Sequence, residues 1–105
     1  MTKFNLIKQS AGHYFIEGDL TFSSLNKKNT QSFDFLKKTD QTCINLSSVT
    51  AVDSAGLALL LEWLKHSKKY DTKLVFNNLP HQLLTLATLS GLDLDEYLTD
   101  ISQDN

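Results

Sequence analysis

Asp53 and Ser54 stand side by side where an apolar, strand-forming run gives way to Ala55-Gly56-Leu57-Ala58-Leu59-Leu60-Leu61. A serine at the mouth of a helix sits where backbone amides point outward and negative charge is favoured. Its hydroxyl can cap the helix, which contributes about 1 kcal/mol. It can also receive a phosphoryl group whose charge the amides tolerate. Asp53 has the capping role open to it as well, by accepting from the amide of Gly56. Local chemistry alone favours the cap over the regulatory reading of Ser54. With the very apolar helix behind it, the pair suggests a docking site that has a phosphorylation switch at Ser54.

Other chemistry-bearing residues are sparse. His13, His66 and His81 are the only histidines, and their spacings match no metal motif. Ser54 has no histidine base near it in sequence. Gly56 stands outside any glycine-rich phosphate loop. Asp93, Asp95 and Glu96 read as a solvated helix start rather than a calcium site. Cys43 is the single cysteine, so a disulfide framework and a cysteine metal site are both excluded. Its place in an apolar strand marks it as a buried, inert thiol. No catalytic residue, metal or cofactor is expected, and the chain reads as a non-enzyme.

Bulk composition narrows the partners. The net charge is −2, and all ten basic residues are lysine. The bidentate arginine fork that grips phosphate or guanine is missing, so nucleic acid is not an expected partner. The start, Met1-Thr2-Lys3-Phe4-Asn5, lacks the apolar stretch of a signal peptide. No run approaches the roughly 18–20 apolar residues of a membrane span. The expectation is a soluble, cytoplasmic protein with no direct membrane insertion, any membrane association coming through a partner.

The elements that must position Asp53 and Ser54 follow from periodicity. Phe4 to Lys8 and His13 to Glu17 read as two strands joined at Ala11-Gly12 into an antiparallel hairpin. Phe22 to Lys38 carries apolar residues at Phe22, Leu25, Phe33 and Leu36, a loose helical period. Gln41 to Leu46 reads as a central strand covered on both faces, followed by a polar turn. A helix capped by Asp53 or Ser54 runs to about Tyr70, with Lys65, His66, Lys68 and Lys69 complementing the negative end of its dipole. Thr72 to Phe76 is a fourth strand. Pro80 starts a helix over His81–Ser90 that Gly91 stops. Leu92, Leu94, Tyr97, Leu98 and Ile101 close the chain, and Ser102 to Asn105 read as a frayed tail.

The order ββαβαβα, alternating from residue 41 onward, implies parallel crossovers. The fold class is α/β. It is a single domain over 1–105, with its core over about 5–98. A small mixed sheet of about four strands has an N-terminal hairpin, parallel crossovers, and helices packed largely on one face.

On the helix that Asp53 opens, Leu57, Leu60 and Leu64 fall within about 60° of one another and must face the sheet. Ser54, Ala58, Leu61 and Lys65 form a second stripe with Glu62 beside it, and Leu59 and Trp63 point to another edge. Small and apolar residues rimmed by Glu62 and Lys65 have the anatomy of a protein–protein interface. The plainer reading, that neighbouring helices cover them, stays open. Trp63 fits the edge of the core better than a partner anchor. Glycine inside a helix costs up to about 1 kcal/mol against alanine, so Gly56 marks a position with contact or packing needs.

Val52-Asp53-Ser54-Ala55-Gly56-Leu57-Ala58-Leu59-Leu60 resembles the signature of STAS domains, the fold of anti-sigma factor antagonists and sulfate-transporter tails. Cys43-Ile44-Asn45-Leu46-Ser47-Ser48-Val49 is similar to that family's central strand and its D-L-S-x-V turn, with Asn45 in place of the usual acidic residue. Phe15-Ile16-Glu17-Gly18-Asp19-Leu20 is similar to its earlier x-L-x-G-x-L strand end. Asp53 to Leu61 and Leu83 to Leu92 resemble the subgroup of small stand-alone subunits of Mla-type phospholipid-transport ABC systems. The resemblance implies a non-catalytic subunit. It would bind the transporter's cytoplasmic ATPase, within a complex with a membrane permease, and help maintain outer-membrane lipid asymmetry.

Ser54 occupies the family's Ser/Thr position in that partner-facing surface. The full candidate surface is Asp53, Ser54, Ala55, Gly56, Ala58, Leu61, Glu62 and Lys65, of which Ala55, Ala58, Leu61, Glu62 and Lys65 come from helix geometry. The alternative is an anti-sigma factor antagonist that releases a serine kinase when Ser54 is phosphorylated. Ala55 and Ala58 depart from the D-S-S-G-L-G pattern of those regulators. A weaker alternative is a lipid or small ligand in a pocket of the domain.

Overall fold

A computed structural model describes residues 4–25, 34–37, 39–94 and 97. Strand β1, Asn5–Ser10, turns back on β2, His13–Leu20, in an antiparallel hairpin. Along β2, Tyr14, Ile16, Gly18 and Leu20 are buried while His13 and Glu17 are exposed. This is the period-two signature of a sheet with one face in the core.

Strand β3, Gln41–Val52, pairs in parallel with β2 on one side and with β4, Lys73–Asn77, on the other. The sheet order is β1-β2-β3-β4. Thr42, Cys43 and Ile44 are buried in succession, so both faces of β3 are covered at that level. Cys43 pairs in register with the buried Val75, and burial pushes its thiol pKa above the ordinary 9.0.

The polar segment after Leu46 is strand, not turn. Two irregularities, between Phe15 and Glu17 and between Gly18 and Asp19, let β3 carry extra residues against β2 and continue to the pair Leu20↔Val52. Asn45 takes up the turn chemistry at the first of them. Its Oδ1 accepts from the Ser47 amide at 2.8 Å and from Asn78 Nδ2 at 3.1 Å. Thr50 also donates to the Asp19 carboxylate across the two strands.

The helix expected over Phe22–Lys38 does not start at Phe22. Thr21 to Leu25 is a tight turn, closed by the amides of Ser24 and Leu25 donating to the Thr21 carbonyl. Ser24 Oγ donates to the Asp19 carbonyl at 2.6 Å, a bond that a serine can offer the backbone as an alternative to helix. Phe22 is exposed. Asp34–Lys37 forms a 3-10 turn that buries Leu36, while Phe33 and the middle of the expected helix lie outside the described residues.

Helix α1, Ser54–Lys69, crosses the sheet and touches β2, β3 and β4 as well as the 3-10 turn and helix α2, His81–Leu89. Leu57, Leu60 and Leu64 face the core as their spacing requires. Leu59 and Trp63 join them, widening the buried face to about 160° of the helix. Trp63 is 2% exposed, edge-on to Phe35 at 5.5 Å. It is a core residue.

The apolar excess that suggested a second face is thus largely core. Lys68, Lys69 and His66 end α1 where cations oppose the dipole. Gly91, at φ 76°, turns the chain after α2, and the Leu92 amide returns to the Ala87 carbonyl at 2.8 Å. Leu94 is buried in the core and Tyr97 packs partly against it. Leu98, Ile101 and the tail lie outside the described residues.

Candidate docking surface

The mouth of α1 is built by Asp53. Its backbone is extended, at φ −146° and ψ −169°, and its Oδ1 accepts from the Ala55 amide at 2.8 Å. Asp53 is therefore the N-cap, with the geometry expected of one. The Gly56 amide goes instead to the Asp53 carbonyl, at 3.0 Å, so the side chain does not take the bond to Gly56 that its sequence position suggested. The second carboxylate oxygen, Oδ2, accepts from the Phe22 amide at 3.0 Å. The Asp53 amide itself donates to the Leu20 carbonyl at 3.1 Å. One residue thus ties together the end of β2, the turn after it and the start of α1.

With the cap supplied by Asp53, Ser54 becomes the first helical residue and is exposed. Ala58, Glu62 and Lys65 are exposed along the same side of α1, and Ala55 and Leu61 are half-buried. These six residues share one continuous face. Gly56 is not on it. It is buried against Leu20 and serves by position. Asp53 is half-buried, and both its oxygens are engaged within the chain. Of the eight candidates, then, six present surface and two hold it in place.

Leu61 and Lys65 also line a groove of about 480 Å³ between α1 and the segment Leu92–Leu94. Sequence reasoning missed Phe22 beside the mouth. Its apolar neighbours at helical spacing placed it at the start of a helix, and no local signal distinguished a turn held by side chains from a helix start.

His66 Nδ1 lies 2.9 Å from the Glu62 carbonyl, at the far end of α1 from Ser54. No group of three or more His, Cys, Asp or Glu among the described residues is placed to hold a metal ion. Asp95 and Glu96 lie outside those residues. No helix among them is long and apolar enough to cross a membrane. What the surface offers is a hydroxyl, small side chains that let another backbone approach closely, and a charged rim.

The sequence matches the family model described as Mlab, STAS domain, over residues 8–99. The chain belongs to the STAS domain family. The curated relatives of this STAS domain include the intermembrane phospholipid transport system binding protein MlaB of Haemophilus influenzae. It is 38% identical over 82 residues, which cover 74% of this chain and 78% of the relative. The protein of the same name from Escherichia coli is 41% identical over 54 residues, 51% of this chain and 56% of the relative.

Solved structures agree with the fold. The anti-sigma factor antagonist SpoIIAA in its unphosphorylated form superposes with a TM-score of 0.62 at 15% identity, over 92% of this chain and 87% of the other. The phosphorylated form of the Bacillus cell fate determinant SpoIIAA gives 0.66 at 16%, over 91% and 88%. A sulfate transporter family protein from Wolinella succinogenes gives 0.63 at 15%, over 91% and 81%. At such identities the likeness concerns the mixed sheet and its helices, not the activity.

Proposed function

We propose that this STAS domain is a non-catalytic subunit of an intermembrane phospholipid-transport system. It docks on the system's cytoplasmic ATPase through the exposed face of α1, and it is held at the inner membrane by that complex, which includes a permease. The transport assignment draws on the relatives named as binding proteins of such a system. The observation that carries the docking reading is the face itself. Ser54, Ala58, Glu62 and Lys65 are exposed and Leu61 half-exposed on a helix whose other side is wholly committed to the core. A surface helix more commonly carries charged residues at positions such as 58 and 61. An exposed Ala58 and a half-exposed Leu61 inside a rim of Glu62 and Lys65 follow the apolar-centre, polar-rim layout of an interface.

The tagged full chain, purified from membranes, is expected to bring down an ATPase and a polytopic permease. Recovery of a soluble serine kinase instead would favour partner switching. That second reading is supported by one observation: Ser54 is exposed in the first turn of α1, where a phosphate would add nearly two negative charges to a surface that must meet its partner closely. Phosphate incorporation at Ser54 by that kinase, followed by its release, is the result that would establish it.

A further inference from the structure

Phe22 is 81% exposed. A lone apolar side chain on a surface ordinarily needs no explanation. This one stands on a backbone fixed from several directions. Its amide donates to Asp53 Oδ2 at 3.0 Å. The turn around it is closed by Ser24 and Leu25 on the Thr21 carbonyl, at 3.1 and 3.0 Å. Ser24 Oγ accepts from the Thr21 amide at 3.1 Å and donates to the Asp19 carbonyl at 2.6 Å. The other oxygen of the same Asp53 carboxylate caps α1 one residue before Ser54. The Phe22 backbone and the start of the exposed helix face are therefore tied to a single carboxylate.

We infer that Phe22 is the aromatic anchor of the docking surface and that it inserts into an apolar cleft one ring wide on the protein that meets Ser54 and Ala58. The inference rests on the docking reading above and adds to it a residue outside α1 and the shape of the partner's site. Binding energy at interfaces concentrates in a few aromatic or arginine side chains, and this chain has no arginine to supply one. The face of α1 offers small side chains, which give close approach but little buried area. Trp63, the largest apolar residue of α1, is spent in the core. Phe22 supplies the missing area, and its backbone is already ordered, so docking would restrict little more than its own side-chain torsions.

The test is the affinity of the full chain for the purified ATPase subunit of the same transport system, measured by calorimetry. Phe22→Ala is expected to weaken binding by about 30-fold or more, Phe22→Leu, which keeps apolar bulk for an apolar cleft, to lose clearly less, and both to melt with the wild type. Phe22→Ala binding within about threefold of wild type, while Ala58→Arg fails to bind, would overturn the anchor and leave the docking face standing. If Ala58→Arg also binds normally, or the wild type does not bind, the docking reading falls and the anchor with it.

Discussion

Gly56 and Leu20 meet more closely than any residue with a side chain would allow. A Cβ built on Gly56 would fall 2.5 Å from the Leu20 carbonyl oxygen and 2.8 Å from the Leu20 Cβ. This contact sets the first turn of α1 against the end of β2, and so determines where Ser54 emerges. Alanine at position 56 would gain up to about 1 kcal/mol of helix propensity. It would also drive a methyl group into backbone that cannot swing aside, an overpacking cost of about 1–3 kcal/mol. Gly56→Ala is expected to lower the urea midpoint. A midpoint at or above wild type would show that the contact is slack.

Asp53→Ala removes two acceptors at once, one for Ala55 and one for Phe22. Loss of the cap alone costs about 1–2 kcal/mol. The turn loses its tie to α1 as well, so amide exchange at Phe22 should accelerate along with that of Ala55. Faster exchange at Ala55 alone would mean that the bond to the turn carries no stability.

Thr72 joins distant parts of the chain. Its buried hydroxyl donates to the Leu36 carbonyl at 2.6 Å and lies 3.2 Å from that of Thr39. Thr72→Val keeps the shape and leaves those carbonyls short of a donor, which should cost about 1–3 kcal/mol. Thr72→Ser keeps the hydroxyl and should lose less. Equal losses in the two variants would assign the effect to packing.

Burial of Cys43 raises its thiol pKa above the ordinary 9.0. The unfolded chain therefore gives up this proton at lower pH than the folded chain does. Stability from this group is intact below pH 9.0 and declines as pH rises from there through the folded-state value. Denaturation measured between about pH 8 and pH 10 should show a steeper decline for wild type than for Cys43→Ala. Parallel curves would contradict it. The native thiol should also react with a disulfide reagent far more slowly than the unfolded one.

Much of this was legible in the sequence. The strands read over Phe4–Lys8 and His13–Glu17 and the helical spacing from Leu57 to Leu64 marked the hairpin and the core face of α1, because burial imposes those periods directly, although β2 runs on through Gly18 and Asp19 to Leu20. The parallel crossovers followed from element order. The extension of β3 through Ser47–Val52 was not legible. A serine-rich stretch reads as turn unless the bulges that absorb it are known, and bulges depend on the partner strand. The turn at Phe22 was hidden for a similar reason: Asp53, thirty-one residues away, holds it. Ser54 could be placed at the helix mouth from sequence. Which of Asp53 and Ser54 caps α1 depended on backbone angles that residue type does not determine.

Ser54→Asp separates stability from docking. A carboxylate in the first turn of a helix is favourable by about 0.3–1 kcal/mol, so this variant should melt at or slightly above the wild-type temperature. Its added charge on a close-contact surface should weaken partner binding. A variant that melts well below wild type would mean that the Ser54 hydroxyl has a structural role.

The most direct measurement is the affinity of Ala58→Arg for the ATPase subunit, beside its melting temperature. Position 58 is exposed and outside the core, so stability should stay within about 0.5 kcal/mol of wild type. The account predicts that binding falls at least about tenfold, because a long cation stands where close approach is needed. Wild-type affinity in a normally folded Ala58→Arg would contradict it.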